Sequence, residues 1–227
     1  MSKQFFVTGT DTEIGKTTVT SSLVSAIAKM GHTCVGLKPI AAGQDFVDGA
    51  WVNDDVLRLS RVCEPAIGMH EICAYQFRTP CAPHIAADLE SQVIEKDVVL
   101  KHIRSSARLA EYSFVEGVGG FDIPLNPDWT TADLAADLQF PVILVVGMRL
   151  GCINHALLSI ESIERRGLQL AGWVGNFVDP NFLFAKENIS TLSDRIKSPI
   201  IGTIPYMKEP LQDVDVSDFQ LKQLLDC

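Results

Sequence analysis

The sequence has no surplus of positive charge and no long apolar segment. Its 227 residues carry 28 acidic and 19 basic side chains, which gives a formal net charge of −9. A general nucleic-acid or membrane binder is not expected, because both need clustered lysine and arginine. The longest apolar stretch, residues 140–147, is much shorter than the roughly 18 to 20 residues of a membrane span. The first apolar run begins almost at the N-terminus, so we expect no signal peptide and a cytoplasmic location.

The sequence also lacks the cysteine spacing of a metal site. Six cysteines are present, but none forms a C-x-x-C pair and no histidine cluster accompanies them. We therefore interpret them as reduced thiols and expect no zinc site.

The apolar residues form short runs separated by helix-compatible segments. The runs lack clean alternation, which is typical of strands buried on both faces of a parallel sheet. This order predicts an α/β protein, a single domain over residues 1–227, with a mostly parallel central sheet flanked by helices on both faces. The predicted strands are Phe5–Thr8, Thr33–Leu37, Tyr112–Val115, Val142–Val146, Leu170–Val174 and Ile200–Ile204. The predicted helices are Thr18–Met30, Asp54–Val62, Glu95–Ala110, Ala132–Leu138, Ile153–Arg166 and Phe184–Arg195.

Chemically distinctive residues follow the end of each predicted strand. Ligands of such sheets bind beyond the carboxyl ends of the strands. We therefore expect these residues to converge on one edge: 9–17, Lys38, Glu116, 148–154, Asn176 and Pro205.

The connection between the first strand and the first helix reads Gly-Thr-Asp-Thr-Glu-Ile-Gly-Lys-Thr from Gly9 to Thr17. A strand, a glycine-bounded loop and a helix, in that order, are the context of a phosphate-binding loop. Lys16 would neutralise phosphate oxygens, and the Thr17 hydroxyl would be a ligand of Mg²⁺. Thr10 occupies the place of the usual first glycine, so an ordinary turn with a chance Gly-Lys-Thr is the alternative.

Three further positions carry charge. Lys38 could stabilise negative charge on a transferring phosphoryl group, although a lone lysine is often merely solvated. Glu116 precedes Gly-Val-Gly-Gly and is a candidate Mg²⁺ partner, with an exposed acid in a turn as the alternative. Asn53-Asp54-Asp55 opens a helix, where capping and a metal role are both open.

The remaining strand ends give weaker signals. Gly151-Cys152-Ile153-Asn154 opens a helix whose free amides suit a carboxylate or phosphate. A helix start could also lower the pKa of the Cys152 thiol. Asn176 could pair with a purine edge, flanked by Pro205 and Tyr206. We expect His84, beside a proline turn, to be structural.

Taken together, these residues resemble the dethiobiotin synthetase family, ATP-dependent ligases with the P-loop NTPase fold. The likeness runs through almost the whole chain. The first glycine of the loop, Gly9, comes one residue earlier than in the usual pattern, and this is that family's own form of the loop. It is carried by residues 8–17, 38–39, 53–55, 83–85, 115–120, 141–147, 151–156 and 171–174.

The resemblance implies that the protein makes dethiobiotin from 7,8-diaminononanoate, CO₂ and ATP. It implies a homodimer in which residues 151–154 of one subunit hold the substrate carboxylate of the other. It implies nucleotide binding by Glu13, Ile14, Gly15, Lys16, Thr17, Thr18, Asp55, Glu116, Gly117, Val118, Gly119, Asn176, Pro205 and Tyr206. It implies Mg²⁺ beside Thr17, Asp55 and Glu116, catalysis by Lys16 and Lys38, and substrate binding by Thr12, Lys38, Gly151, Cys152, Ile153 and Asn154.

One position departs from the family pattern. Ala42 stands where relatives carry a serine, in Lys-Pro-Ile-Ala-Ala-Gly from Lys38 to Gly43. One lost hydrogen bond costs about 0.5–1.5 kcal/mol, so we expect activity to be retained. A paralogue with a shifted substrate preference stays possible.

Two other functional classes are compatible with a P-loop. A regulatory ATPase switch usually has an additional lysine early in the loop, and none lies between Lys3 and Lys16. An amidating ligase would need a glutamine-hydrolysing domain, for which we see no room after Ile204. A pure nucleotide-binding module would explain neither Lys38 nor the helix start at residues 151–154.

Overall fold

The computed structural model describes residues 2–208, 214, 216 and 218–225. Its strands are β1 (Lys3–Gly9), β2 (Cys34–Leu37), β3 (Ile40–Ala42), β4 (Asp45–Val47), β5 (Ala50–Val52), β6 (Tyr75–Phe77), β7 (Tyr112–Glu116), β8 (Pro124–Asn126), β9 (Trp129–Thr130), β10 (Val142–Met148), β11 (Leu170–Phe177) and β12 (Ile200–Ile204). Its helices are α1 (Lys16–Lys29), α2 (Asp54–Ser60), α3 (Met69–Ile72), α4 (Pro83–Leu89), α5 (Lys96–Ser106), α6 (Thr131–Leu138), α7 (Cys152–Arg165), α8 (Ala185–Arg195) and α9 (Lys222–Leu225), with a 3₁₀ helix at Ala107–Leu109.

The centre of the molecule is a six-stranded sheet in the order β12-β11-β10-β1-β7-β2. All five pairings in it are parallel. These six strands are the six predicted from the apolar runs, so the predicted fold class is confirmed.

Helices cover both faces of the sheet. In β1, Phe5 and Val7 pack into the layer that contains α1, whereas Phe6 packs into the opposite layer. All three side chains are 1% exposed or less. Burial on both faces is the reason that the strand sequences lack alternation.

The element ends differ from the predictions by a few residues. β11 continues through Asn176 to Phe177, because its ladder with β10 extends to the pair Met148–Phe177 beyond the apolar run. The helix predicted to reach Ala110 ends at Ser106 and continues as the 3₁₀ turn. The helix predicted to reach Val62 ends at Ser60.

Six short strands were not predicted. β4 and β5 form an antiparallel hairpin between β3 and α2, and β3 pairs with β6. β8 and β9 form a second small hairpin. None of these strands is longer than three residues, which is too short for a periodic pattern to be visible in the sequence.

Within the part of the chain that the structure describes, no helix has both the length and the apolar character that crossing a membrane requires.

Candidate active site

The loop between β1 and α1 is held by the backbone of Gly15. This residue has φ of 80° and precedes the first residue of α1. A Cβ at Gly15 would lie 2.2 Å from Nδ2 of Asn176, so any other residue would be strained by the left-handed backbone and would also displace the Asn176 amide. Because the loop turns directly into the helix, α1 begins two residues before the predicted Thr18.

Lys16, the first residue of α1, is almost fully buried. Its Nζ donates a hydrogen bond to the backbone carbonyl of Asp11, 2.8 Å away within the same loop. Burial, and then the nearby ammonium of Lys38, lowers the pKa of Lys16 to about 8. A bound polyphosphate would counter both effects, since it supplies negative charge to a poorly solvated cation.

Lys38 lies between two carboxylates that come from different elements. Its Nζ is 2.6 Å from Oε1 of Glu116, at the end of β7, and 2.7 Å from Oδ2 of Asp55, in α2. The Thr17 hydroxyl donates to the same Glu116 oxygen at 2.7 Å. Lys38 and Glu116 therefore meet directly beside the phosphate-binding loop, as the convergence of strand ends predicted, and Asp55 of α2 joins them.

The charge states follow from these contacts. Burial alone would lower the pKa of Lys38, but Glu116 and Asp55 outweigh it and hold this pKa above its usual range. Burial would raise the pKa of Asp55, but the Lys38 ammonium outweighs it and keeps this pKa low. The site therefore holds a charged ammonium with an ionised Asp55 at neutral pH.

The oxygen ligands that Mg²⁺ prefers are present at this point. Thr17, Asp55 and Glu116 supply a hydroxyl and two carboxylates. Oε2 of Glu116 is buried and has no hydrogen-bond partner among the described residues. A buried carboxylate oxygen without a partner is costly, so this donor set fits a magnesium ion.

These side chains open into a cleft of about 760 Å³ that is lined by both polar and apolar residues. The loop, polar and charged lining residues are Thr12, Glu13, Gly15, Lys16, Thr17, Thr18, Lys38, Asp54, Asp55, Arg58 and Glu116. The apolar and small lining residues are Ala42, Pro80, Cys81, Ala82, Pro83, Val118, Gly119 and Ile123.

A smaller cavity of about 160 Å³ adjoins the loop. Its lining residues are Glu13, Gly15, Thr18, Asn176, Phe177, Val178, Tyr206 and Met207. Nδ2 of Asn176 donates to the backbone carbonyl of Ile14 at 2.7 Å, so Asn176 contacts the loop as well as the cavity. The Ile14 side chain is buried in the core. Pro205 and Gly117 line neither cavity.

α2 is positioned by Asn53 rather than by an aspartate. The Asn53 side chain accepts from the backbone of Val56 at 3.1 Å and donates to the carbonyl of Gly43 at 2.6 Å. Asn53 therefore caps the helix. Asp55 faces Lys38 instead, so the alternative role beside a metal falls on Asp55.

Arg58 was missed by the sequence analysis. It lines the cleft and donates to the hydroxyl of Thr18 at 3.0 Å. Its position three residues after Asp55, on the same helical face, is the signal that could have identified it.

None of the residues 151–154, at the helix start, lines either of the two cavities. Gly151 and Asn154 are exposed at the beginning of α7, whereas Cys152 is 1% exposed. The expected lowering of the Cys152 pKa is wrong: burial raises the pKa of this thiol. His84 has Nδ1 3.2 Å from the carbonyl of Pro124, a contact compatible with the expected structural role.

The parallel sheet and the glycine-bounded loop with its buried lysine define a P-loop nucleotide-binding protein. Residues 3–212 match a sequence family described as an AAA domain. The ATP-dependent dethiobiotin synthetase BioD of Aromatoleum aromaticum is 45% identical over 205 residues, which cover 90% of this chain and 91% of the relative. The same-named protein of Cellvibrio japonicus is 42% identical over 225 residues and 99% of both chains. The chain belongs to the dethiobiotin synthetase family.

Solved structures show the same fold at low sequence identity. A ParA family ATPase from Chlorobium tepidum superposes with a TM-score of 0.58 at 13% identity, over 100% of this chain and 90% of that one. A chain of the MinC:MinD cell division complex of Aquifex aeolicus gives 0.54 at 16% identity, over 91% and 83%. These likenesses concern the fold alone.

Proposed function

We propose that this protein is an ATP-dependent dethiobiotin synthetase of biotin biosynthesis. It is a ligase that forms carbon–nitrogen bonds, with ATP as co-substrate and Mg²⁺ as cofactor. The observation that best supports this, beside the family, is the Lys38 ammonium held between Asp55 and Glu116 next to the phosphate-binding loop. Such a cation suits a reaction in which negative charge is made and transferred.

The proposed reaction has three steps. One amine of 7,8-diaminononanoate combines with CO₂ and loses a proton, which gives a carbamate. The carbamate oxygen takes the γ-phosphoryl group of ATP, which gives a carbamic–phosphoric anhydride and ADP. The second amine then attacks the carbamate carbon, releases phosphate and closes the five-membered urea.

This chemistry needs positioning and charge stabilisation rather than a protein nucleophile. We assign Lys16 to the β- and γ-phosphates and Lys38 to the carbamate and the transferring phosphoryl group. Thr17, Asp55 and Glu116 would hold Mg²⁺, which when bound neutralises charge on the triphosphate. Backbone amides at the start of α1 would hold the phosphates.

The mixed lining of the cleft suits the two kinds of group in the diamine. We assign its hydrocarbon chain to contacts with Pro80, Pro83 and Ile123, which would shield it from water. Its amines would lie near Thr12 and Lys38. Ala42 lies in this cleft and presents no hydroxyl, so neighbouring backbone groups would bind the carbamate instead.

The smaller cavity is our candidate for the adenine ring. Asn176 offers an amide and Tyr206 an aromatic ring there. Glu13, Thr18 and the glycine-rich run of Gly117, Val118 and Gly119 complete the proposed nucleotide site, together with Pro205 and the backbone of Ile14.

We further propose that residues 1–227 form a single P-loop ligase domain that works as a homodimer. Residues Gly151 to Asn154 of one subunit would hold the substrate carboxylate of the other. Two observations support this proposal: Gly151 and Asn154 are exposed at the start of α7, and neither lines the cleft of its own subunit. A helix start with free amides is an anion site.

The test is phosphate release from ATP and Mg²⁺ in bicarbonate buffer when 7,8-diaminononanoate is added, with mass detection of the product. We expect release to require the diamine and the product to have the mass of dethiobiotin. ATP hydrolysis that ignores the diamine and forms no cyclic urea would contradict the proposal and favour an ATPase switch. Light scattering during size-exclusion chromatography tests the dimer independently.

A further inference from the structure

We propose that Arg149 is a positioning residue that acts through Asp11 to hold the phosphate-binding loop and the Lys16 ammonium in place. This inference rests on the proposed function only in taking ATP as the ligand of the loop. The family sequence pattern gave no role to either Arg149 or Asp11.

Asp11 is the residue on which the contacts of the loop converge. Its Oδ1 accepts from the backbone N–H of the adjacent Thr12 at 2.7 Å. Its Oδ2 accepts from Nη2 of Arg149. Its backbone carbonyl accepts from Nζ of Lys16 at 2.8 Å. A movement of Asp11 would therefore move the acceptor that orients the Lys16 ammonium.

Arg149 is well placed to prevent that movement. It follows the last residue of β10, a strand fully buried in the centre of the sheet. Its backbone carbonyl accepts from the N–H of Cys152 at 3.0 Å, in the turn that leads into α7. The arginine thus starts from a rigid element and reaches across to a loop that has no regular structure of its own.

A second set of contacts joins the same two elements. The Thr10 backbone N–H donates to the carbonyl of Val145 at 3.0 Å. The Gly147 N–H donates to the Thr10 hydroxyl at 3.3 Å. These bonds fix the first part of the loop against β10, and the ion pair of Arg149 with Asp11 fixes its middle.

The exposure of the two side chains distinguishes a role in positioning the loop from a role in stabilising the fold. The Arg149 and Asp11 side chains are 41% and 44% exposed. An exposed ion pair contributes little to stability, because solvent screens it and ordering two side chains costs entropy. Loss of the pair should therefore change loop geometry, and with it ATP binding and turnover, while the fold is retained.

The experiment compares Arg149→Ala, Asp11→Asn and the double variant in the full-length protein. Calorimetry gives the affinity for ATP with Mg²⁺, and diamine-dependent phosphate release gives kcat and KM for ATP. We expect each single variant to lose about three- to fivefold in ATP affinity or in kcat/KM, and the double variant to lose no more than either single one. Arg149→Lys, which keeps the charge, should recover at least roughly half of the wild-type affinity.

Arg165→Ala is the matched control, because Arg165 forms an exposed ion pair with Glu161 on α7, far along the helix from its start. It should behave as the wild type. The melting temperatures of all variants should lie within about 3 °C of the wild type.

Four results would overturn the inference. Arg149→Ala could bind and turn over ATP as the wild type does, or it could have a defect that Asp11→Asn does not share. The defects of the single variants could multiply in the double variant. The melting temperature of a variant could fall by much more than about 3 °C. The calorimetric measurement needs no diamine. If the wild type binds ATP but makes no dethiobiotin, the proposed function fails while the role of Arg149 is still decided.

Discussion

At the scale of single residues, the site depends on how two lysines are kept different. Lys16 contacts a backbone carbonyl, and burial lowers its pKa to about 8. Lys38 contacts two carboxylates, which hold its pKa above the usual range in spite of burial. The first therefore has capacity left for an incoming anion, whereas the second already has two carboxylate partners. This difference is consistent with different roles for the two residues. Lys16 would bind phosphate, and Lys38 would stabilise charge that moves during the reaction.

Gly15 gives the sharpest prediction at this scale. Gly15→Ala would place a methyl group 2.2 Å from the Asn176 amide in a left-handed conformation. We expect ATP affinity to fall by more than about 100-fold, because the loop must move away from the geometry that binds phosphate. Calorimetry with ATP and Mg²⁺ measures this loss.

Gly31→Ala is its control. Gly31 has φ of 91°, but nothing lies within 4 Å of a Cβ placed there. This variant should carry only the backbone cost, about 1–2 kcal/mol of stability, and bind ATP as the wild type does. Equal ATP affinities in the two variants would show that the contact with Asn176 is unimportant.

Lys38→Met removes the ammonium while keeping a long side chain. We expect kcat to fall about 100- to 1,000-fold, because a preorganised charge at the reacting groups is lost. Lys29→Met, at an exposed lysine near the end of α1, should change kcat by less than about twofold. Steady-state phosphate release measures both variants. A Lys38→Met enzyme with wild-type kcat would remove Lys38 from the chemistry.

At the scale of elements, α2 matters because three of its residues, Asp54, Asp55 and Arg58, line the cleft. Asp55 contacts Lys38, and Arg58 contacts Thr18. The helix has only seven residues, so its position depends on its cap more than on its own stability. Asn53 supplies that cap and also joins the helix to Gly43, beside the cleft.

Asn53→Ala should therefore reduce both stability and activity. We expect a loss of about 1–2 kcal/mol in the free energy of unfolding and roughly tenfold in kcat/KM for ATP. Thr130→Ala removes the corresponding cap from α6, where Thr130 accepts from the backbone of Asp133 at 3.2 Å and lines neither cavity.

The Thr130→Ala variant should lose similar stability but retain activity within about twofold. Urea denaturation and phosphate release on both variants provide the comparison. If kcat/KM falls equally in the two, the activity loss reflects general destabilisation rather than the placement of α2.

At the scale of the whole molecule, the central sheet and its helical layers leave the cysteines in unlike environments. Burial raises the pKa values of Cys34, Cys63 and Cys73, the last to about 12. Cys152 is also buried. Cys81 is half-buried and lines the cleft. Cys227 lies outside the described residues.

Thiol labelling of a Cys227→Ser protein tests this arrangement. We expect one thiol to react rapidly with a disulfide reagent, because thiolate formation and access are needed together. ATP with Mg²⁺ and the diamine should slow that reaction, and Cys81→Ser should abolish it. Guanidinium should expose all the remaining thiols. Rapid reaction of two or more thiols in the native protein would contradict this picture.

Much of the fold was predictable from the sequence because its signals are local. Each central strand is a short apolar run, and the loop from Gly9 to Thr17 lies between a run and a helix in the chain itself. The short hairpins were not predictable, because three residues carry no period. The lowered pKa expected for Cys152 was wrong, because the helix start was visible in the sequence and the burial of the thiol was not.

The sequence by itself determined the six strands of the central sheet, the phosphate-binding loop and the family. Only the tertiary structure decided which side chains meet. Lys38 and Glu116 are 78 positions apart, and Asp11 and Arg149 are 138 apart, yet each pair is in contact. The physical reason is that strand order in the sheet differs from strand order in the chain, so that β7 lies between β1 and β2 and β10 lies on the other side of β1. That order brings the carboxyl ends of distant strands to one edge, where their charges interact.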